Sequence, residues 1–330
     1  MAVCVPKFPG LVVVIIYHLP FTSMDFKRPD GRLPNELRDI IISFDGLDGV
    51  DGSARFGFGD TKALASVSGP MEVRLAVEQA NKATFEVLVR PLSGLPGTDS
   101  KALASALRNA LLPSMILTTN PRTLVQLVAL SLTPIPIPPP RHANLYSSLD
   151  DSTKRRRKMN ASILRTSPAL VAALINASSL ALLNAASVPL RGVVCACSVG
   201  RVRPSSSSSD PDESVLIVDP SSNELSLLDG AGTFAFLIAG DNSSAASGLD
   251  AKLVWSHWNA TPFNEDELAR ATELARTGAF RVRGHMRGAI ERALSGLQAS
   301  GSQSTDSISG RKDVKAKIKQ EDLDDAKMEI

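Results

Sequence analysis

One segment limits the possible folds more than any other. Residues 168–187 read PALVAALINASSLALLNAAS, a run without a charged residue in which alanine and leucine dominate. Pro168 suits the first turn of a helix, where its missing N–H is not needed. The small side chains allow close approach to a neighbouring layer. The sequence therefore predicts an apolar helix packed against a sheet.

Strand-like segments flank this helix. Residues 123–132 read TLVQLVALSL, with both faces mostly apolar, so this strand is expected in the interior of a sheet. Residues 193–202 form the next predicted strand. The strand–helix–strand order predicts a right-handed crossover unit.

Short strands and turns precede this unit. An Asp- and Gly-rich stretch at residues 45–52 is typical of a turn, and Gly69-Pro70 is expected to end a strand. Several short strands joined by tight turns predict an antiparallel or mixed sheet. The predicted strands are residues 38–43, 52–59, 61–69 and 84–89.

Two further helices are predicted. Apolar residues recur at helical spacing within residues 100–117, where Pro113 should end or kink the helix. A last helix should follow Asn264, a suitable N-cap, with Glu267 completing a capping box. Glycines weaken this helix, and a break is predicted near Gly278.

Composition indicates the domain boundaries. Residues 25–297 are predicted to form one domain, interrupted by a disordered proline-rich insertion at residues 134–167 and a loop at residues 204–213. Residues 1–24 are predicted to be an extension outside the fold, because the sequence from Met24 onwards resembles a natural start. Residues 298–330 are predicted to be a disordered, charged tail.

A basic cluster lies in the proline-rich insertion. It is compatible with a nuclear localisation signal, an RNA-binding patch or a solvated run of charge. The cluster consists of Lys154, Arg155, Arg156, Arg157 and Lys158.

Charge and cysteine content exclude little about partners but limit the chemistry. The formal net charge is +2, so any RNA contact must be local rather than a property of the whole surface.

Three cysteines argue against a disulfide framework. Cys195 and Cys197 lack the further ligands of a zinc site and are predicted to lie on one face of a buried strand. The apolar run at residues 11–16 is too short to span a membrane.

Seven short motifs, in the same order along the chain, resemble the ribonuclease PH family. Residues 27–38 read KRPDGRLPNELR, which is similar to the pattern R-x-D-G-R-x-x-x-E-x-R of that family. The other matches are DGSA at 51–54, GDTK at 59–62, GP at 69–70, NKATFEVLVRPLSGLP at 81–96, NPRT at 120–123 and INASSLALLNAASVPLRG at 175–192.

The resemblance implies a fold and a function. The fold would be the α/β (α+β) ribosomal protein S5 domain 2-like β-α-β fold of RNase PH type, with mixed sheets packed against helices. The last three motifs resemble ring subunits of the eukaryotic RNA exosome. The implied partners are other RNase PH-like ring subunits, S1/KH cap subunits, an associated hydrolytic nuclease and RNA, with no membrane. The implied locations are the nucleus and nucleolus, and also the cytoplasm.

Two catalytic motifs of active family members are missing. These enzymes cleave RNA with phosphate, which needs cationic groups and a carboxylate. Residues 97–104 read GTDSKALA where the family has G-R-[ST]-x-E-x-x-R, and Thr133 runs into the proline-rich insertion where an acidic D-G-G-T-R-like segment is expected. No catalytic residue, cofactor or metal site is therefore predicted. The alternative is an active phosphorolytic exoribonuclease in which Asp150 or Asp151 lies beside Lys101 and Ser100.

RNA contact is a separate question from cleavage. Arg74 follows Gly69-Pro70, in a loop whose arginines hold RNA in the family, so the resemblance makes it the first RNA-binding candidate. Lys101 and Arg108 share helical spacing and could face a channel. For all three residues, ordinary surface charge is the alternative. A small-molecule kinase on the same fold would need a glycine-rich loop opening a helix, whereas Gly57-Phe58-Gly59 precedes a predicted strand.

Overall fold

The structure is a computed structural model, and it describes residues 28–44, 46–134, 167–202, 214–239, 250–260 and 264–325. Side chains are described as far as residue 295, except at residues 226 and 250. The predicted N-terminal extension, the insertion with its Lys154–Lys158 cluster, and the loop at 204–213 therefore lie essentially outside the described residues.

The first sheet contains five strands in the order β1-β2-β3-β5-β4. β4 and β5 are parallel and the other neighbours are antiparallel, which confirms the predicted mixed sheet. β5 lies between β3 and β4, so its predicted interior position is also confirmed. The strands are β1 Ile40–Ser43, β2 Gly52–Phe58, β3 Thr61–Glu72, β4 Thr84–Arg90 and β5 Thr123–Ser131.

The second sheet contains four antiparallel strands in the order β7-β6-β8-β9. They are β6 Val193–Val202, β7 Val215–Val218, β8 Leu228–Ala239 and β9 Asp250–Ala260. Three helices accompany the two sheets in the described ranges: α1 Thr98–Leu111, α2 Pro168–Ala185 and α3 Glu265–Asp325.

α2 forms the shared core of both sheets. It contacts β2 and β3 on one side and β6 and β8 on the other. Its 18 residues have a mean hydropathy of 1.6, enough by length and composition to cross a membrane, but 83% of them are buried inside the protein. Asn176 is fully buried and binds the backbone of β6, donating to the Ala196 carbonyl at 2.9 Å and accepting from its N–H at 2.7 Å. The predicted packing of this helix on a sheet is confirmed.

The predicted crossover unit is wrong. β5 and β6 flank α2 in sequence but belong to different sheets, whereas the parallel neighbours β4 and β5 are joined through α1. The physical reason is that α2 is apolar around its whole circumference. It can be covered on all sides only if it lies between two layers. α1 carries polar residues on its outer face and covers β4.

Gly69-Pro70 does not end a strand as predicted. β3 continues to Glu72 and stays paired with β5, with a shift of register between Ser68 and Met71. Gly69 has φ +124°, and a Cβ there would collide with the Leu124 carbonyl oxygen. A local shift of register allows a residue with this backbone conformation to lie within a pair of strands. β3 therefore continues past Gly69-Pro70.

The predicted break at Gly278 is also wrong, because α3 passes through that residue without interruption. A Cβ on Gly278 would lie 2.5 Å from Cys197 Sγ. The glycine therefore permits close packing between helix and sheet, and this packing outweighs its poor helix propensity. α3 continues to Asp325 and so extends into the predicted tail at 298–330. The domain boundary at residue 297 stays a prediction.

Cys195 and Cys197 lie on one face of β6 and are both fully buried, as predicted. Burial raises the pKa of the Cys195 thiol to about 12, and it raises the pKa of Cys197 further. Both cysteines are therefore neutral, packed side chains at physiological pH.

The start of α3 carries an ion pair that the sequence did not indicate. Asn264 directly precedes the helix, as predicted, but the Glu267 carboxylate binds Arg201 of β6 at 3.0 and 3.1 Å. Arg201 is fully buried and also donates to Asp229 at 3.1 Å. The first turn of α3 is thus tied to the second sheet by charge.

Arginines near the N-terminal end of the domain tie it to the end of β7. Arg28 is buried and donates to both carboxylate oxygens of Glu224, at 2.7 and 2.8 Å. Arg38 binds both carboxylate oxygens of Asp219, at 2.8 and 2.7 Å. We call these four residues the clasp. Two arginines of the KRPDGRLPNELR motif therefore have a structural explanation.

Candidate nucleic-acid interface

Two segments stand at the positions where active family members carry their catalytic motifs, and both meet at one edge of the first sheet. β4 and β5 are parallel, so both strands end at the same edge. α1 follows β4 and packs back on it, which places Gly97 and the start of α1 at that edge as well. Gly97 and the first turn of α1 are therefore neighbours of residues 131–133 in the fold, and we call this edge the motif edge. Ala104, the last residue of the motif segment, lies further along α1 and lines a groove at the other end of the helix.

The residues of these two segments do not supply the chemistry of active family members. Lys101 occupies the motif position of the glutamate, and Thr98 and Ala104 occupy those of the two arginines. Thr133 Oγ1 accepts from the Lys62 N–H at 2.7 Å and donates to the Asp60 carbonyl at 3.0 Å, so it fastens the end of β5 to the β2–β3 turn. Asp150 and Asp151 lie outside the described residues. Within the described ranges, no three His, Cys, Asp or Glu side chains cluster as a metal site would require.

α1 and β4 pack together as the β4–α1 unit. At the end of this unit opposite the motif edge lies an open groove of about 820 Å³. Arg74 and Arg108 both line it, although they are distant in sequence. β3, α1 and the first halves of β4 and β5 form its walls. The polar lining consists of Glu72, Arg74, Gln79, Thr84, Glu86, Ser105, Arg108 and Gln126.

Short local structure presents Arg74 to the groove. It is the second residue after β3 and precedes a single 3₁₀ turn, Leu75–Val77, in which the Val77 N–H donates to the Arg74 carbonyl at 3.0 Å. Arg108 lies in the last turn of α1, where a cation interacts favourably with the helix dipole. Both side chains are exposed, and neither forms an ion pair among the described residues. They are therefore available to a phosphate.

The groove also contains groups that the sequence analysis missed. Glu86 and Gln126 are register partners on β4 and β5, and the Gln126 amide donates to Glu86 at 3.4 Å. Along each strand these polar residues alternate with apolar ones, which predicts that they point away from the core. The alternation does not predict which of them share a groove with α1. Glu72 and Glu86 add negative charge, so the groove favours an anion only beside its two arginines.

The three RNA-binding candidates are therefore not one cluster. Arg74 and Arg108 lie together, while Lys101 lies two turns from Arg108 on α1, outside the groove lining and near the motif edge. Gly57-Phe58-Gly59 leads from β2 into the strand β3 and opens no helix, as predicted.

Comparison with known proteins agrees with this fold. Residues 36–187 match the 3' exoribonuclease family, domain 1 (RNase_PH). The exosome complex exonuclease RRP46 homolog of Arabidopsis thaliana is 39% identical over 105 residues, which are 32% of this chain and 44% of that protein. The exosome complex component RRP46 of Saccharomyces cerevisiae is 28% identical over 228 residues, 69% of this chain and 84% of that protein. The chain spans less than half the length of the first curated relatives it matches.

Solved structures show the same architecture. The crystal structure of rice (Oryza sativa) Rrp46 matches with a TM-score of 0.58 and 24% identity, covering 79% of this chain and 98% of that one. An Archaeoglobus fulgidus exosome chain, solved with RNA bound to the active site, matches with a TM-score of 0.54 and 17% identity, covering 79% and 93%. Residues 36–187 are therefore similar to domain 1 of the 3' exoribonuclease family, the chain shares the fold of rice Rrp46, and the relatives it matches include exosome subunits named RRP46.

Proposed function

We propose that this chain is a non-catalytic ring subunit of the RNA exosome that helps to guide RNA for 3'-to-5' processing and decay. The observation that carries the proposal is the contrast within the β4–α1 unit. Its motif edge lacks the arginines and glutamate of active family members, while its other end holds Arg74 and Arg108 in an open groove.

Absence of catalysis by this chain follows from the chemistry of phosphorolysis. Attack by phosphate on an RNA phosphodiester brings several negative charges together, and positioned cations must stabilise them. Thr98 and Ala104 stand at the motif positions of the two arginines and cannot supply charge, and Lys101 replaces the acidic group that would serve a metal ion or a proton transfer. Cleavage is then carried out by an associated hydrolytic nuclease.

RNA contact by the groove needs no base recognition. Guanidinium groups bind phosphate oxygens in a manner that is independent of sequence and sensitive to salt. This property suits a subunit that handles ribosomal, small nuclear and messenger RNA alike. The relatives named exosome components support partnership with other RNase PH-like ring subunits. S1/KH caps, and a nuclear, nucleolar and cytoplasmic location, belong to the same proposal.

The test combines an activity assay with a purification. The full chain is incubated with a labelled RNA, with and without inorganic phosphate, and the 3' end is followed on a gel. We expect no phosphate-dependent shortening, and we expect the tagged chain to co-purify with RNase PH-like subunits from its own cells. Robust phosphorolysis by the isolated chain would support the active exoribonuclease instead, and purification without such subunits would refute the ring assignment.

A further inference from the structure

A second cavity lies on the other side of the molecule, between the segment leading into β1 and the outer face of α3. Its volume is about 520 Å³. Residues 36–40 form one wall, and Arg281, Gly284, His285, Gly288 and Arg292 form the other. We call it the β1–α3 groove. It shares no lining residue with the groove of Arg74 and Arg108.

One wall of this groove is the beginning of an edge strand. β1 pairs only with β2 among the described strands. The Gly59 N–H donates to the Asp39 carbonyl, which fixes residues 39, 41 and 43 as those that bond towards β2. The N–H and C=O groups of Ile40 and Ile42 therefore point away from β2. These groups can pair with the backbone of an added strand.

The opposite wall contains two glycines that nothing within the described chain requires. A Cβ on Gly284 or Gly288 would meet no atom within 4 Å, whereas a Cβ on Gly278 would meet Cys197. Glycine is a much weaker helix former than alanine, so each glycine destabilises α3. The missing side chains leave the wall of the groove open at the level of β1.

Basic side chains dominate the rim. Arg281, His285 and Arg292 project from one face of α3 at spacings of four and seven residues. Two acidic residues, Glu36 and Asp39, line the opposite wall, and the Glu36 carboxylate accepts from the Leu33 N–H at 3.1 Å. Arg281 donates to the Asn35 carbonyl at 2.8 Å, which leaves its charge uncompensated by that contact.

We propose that the β1–α3 groove binds an extended, acidic peptide segment of a partner protein, which pairs with β1 as an additional strand. Backbone groups of Ile40 and Ile42 hold the peptide main chain, Gly284 and Gly288 make room for its side chains, and Arg281, His285 and Arg292 attract its carboxylates. β1 has four residues, so the paired segment spans about 13 Å. The rim alone would also attract RNA, but the groove lining holds no Phe, Tyr or Trp ring for base stacking. The proposal does not depend on the proposed exosome function.

The experiment measures peptide binding by the full chain. The probe is a fluorescein-labelled octapeptide of alternating Glu and Val, and binding is followed by fluorescence anisotropy. We expect a Kd of about 100 µM or tighter. The Lys-Val counterpart tests charge, a version with proline at alternate positions tests backbone pairing, and a labelled oligouridylate tests for RNA in the same groove.

Variants locate the binding site. Gly284→Leu should weaken Glu-Val binding at least tenfold while leaving the melting temperature unchanged or higher, because leucine is the better helix former and a Cβ at this position meets no atom within 4 Å. The double variant R281E/R292E should weaken it similarly. Arg270→Glu on the exposed start of α3 is the matched control and should change affinity less than twofold.

Several results would overturn the proposal. These are no binding of the Glu-Val peptide at about 1 mM, equal binding of the proline or Lys-Val peptide, and unchanged binding by Gly284→Leu. Displacement of the peptide by oligouridylate at lower concentration would assign the groove to RNA instead. Failure of these tests leaves the RNA groove and the ring assignment untouched, because they concern other residues.

Discussion

The clasp and the groove of Arg74 and Arg108 use the same side chain in opposite ways. In the clasp, Arg28 is buried and donates to both carboxylate oxygens of Glu224. In the groove, Arg74 and Arg108 are exposed and form no ion pair among the described residues. A buried, paired guanidinium contributes to the fold, whereas an exposed guanidinium in a concave surface can bind a ligand. Arginine content alone would not separate these roles.

The largest expected effect is on stability, at the clasp. Arg28→Ala leaves Glu224 without its bidentate partner in a buried site, which should lower the free energy of unfolding by about 3–5 kcal/mol. Urea denaturation followed by circular dichroism measures this change. Arg74→Ala is the matched control and should shift stability by no more than about 0.5 kcal/mol. Equal effects of the two substitutions would erase the distinction between the regions.

The next largest effect is on RNA affinity, at the groove. The double variant R74A/R108A should weaken binding of a single-stranded RNA about tenfold per arginine, since a charge-assisted hydrogen bond contributes about 1.5–3 kcal/mol. The salt dependence of log K should also become shallower by about 1.4, because each phosphate contact on a single strand contributes about 0.7. Anisotropy titrations at several salt concentrations provide both quantities. Arg270→Ala should change neither, and an unchanged salt slope in the double variant would exclude phosphate contact.

A pH titration sharpens the comparison further. Burial alone raises the pKa of Glu224, but hydrogen bonds from Arg28 and the Ser221 N–H, with the charges of Arg28 and Arg32, hold it below its ordinary value. The stabilisation is therefore present above the unfolded pKa of about 4.3 and is lost as the pH falls through the lowered folded value. Melting temperatures between pH 7 and pH 3 should fall less steeply for Glu224→Gln than for the unmodified chain. Parallel curves would show that Glu224 is not the group responsible.

The smallest effect is expected at Lys101. This residue lies at the motif edge, outside the groove lining, so Lys101→Ala should change RNA affinity less than twofold. The same anisotropy titration, with R74A/R108A as the positive control, is sensitive enough. A loss comparable to that of the double variant would extend the RNA path along the whole of α1.

Local patterns predicted the elements of this fold better than their arrangement. The apolar run of α2 and the end of α1 at Leu111, two residues before Pro113, follow from side-chain chemistry that acts within a few residues. That α2 separates two sheets, rather than crossing over one, depends on β6 pairing with the strands that follow it, β7 and β8, and not with β5; no pattern within these segments indicates that choice. The continuation of β3 beyond Gly69-Pro70 likewise depends on the distant β5.

The candidate site was predicted one residue at a time. Arg74 and Arg108 were identified from a motif and from helical spacing, but nothing local indicates that they share a groove while Lys101 does not. The partnership of Glu267 with Arg201 was hidden for the same reason, because 66 residues separate them. Glu267 also fits a capping box at the start of the helix, so the pattern gave no reason to expect a long-range ion pair for it.

The contact between Arg28 and Glu224 has a consequence for the order of events during synthesis. The two residues are 196 positions apart. At about 5–20 residues per second, a ribosome needs about 10–40 s to make the intervening chain. The segment that carries Arg28 therefore emerges long before its acceptor exists. The first sheet can assemble in that interval, but its outermost strand waits for the second half of the domain before it is secured.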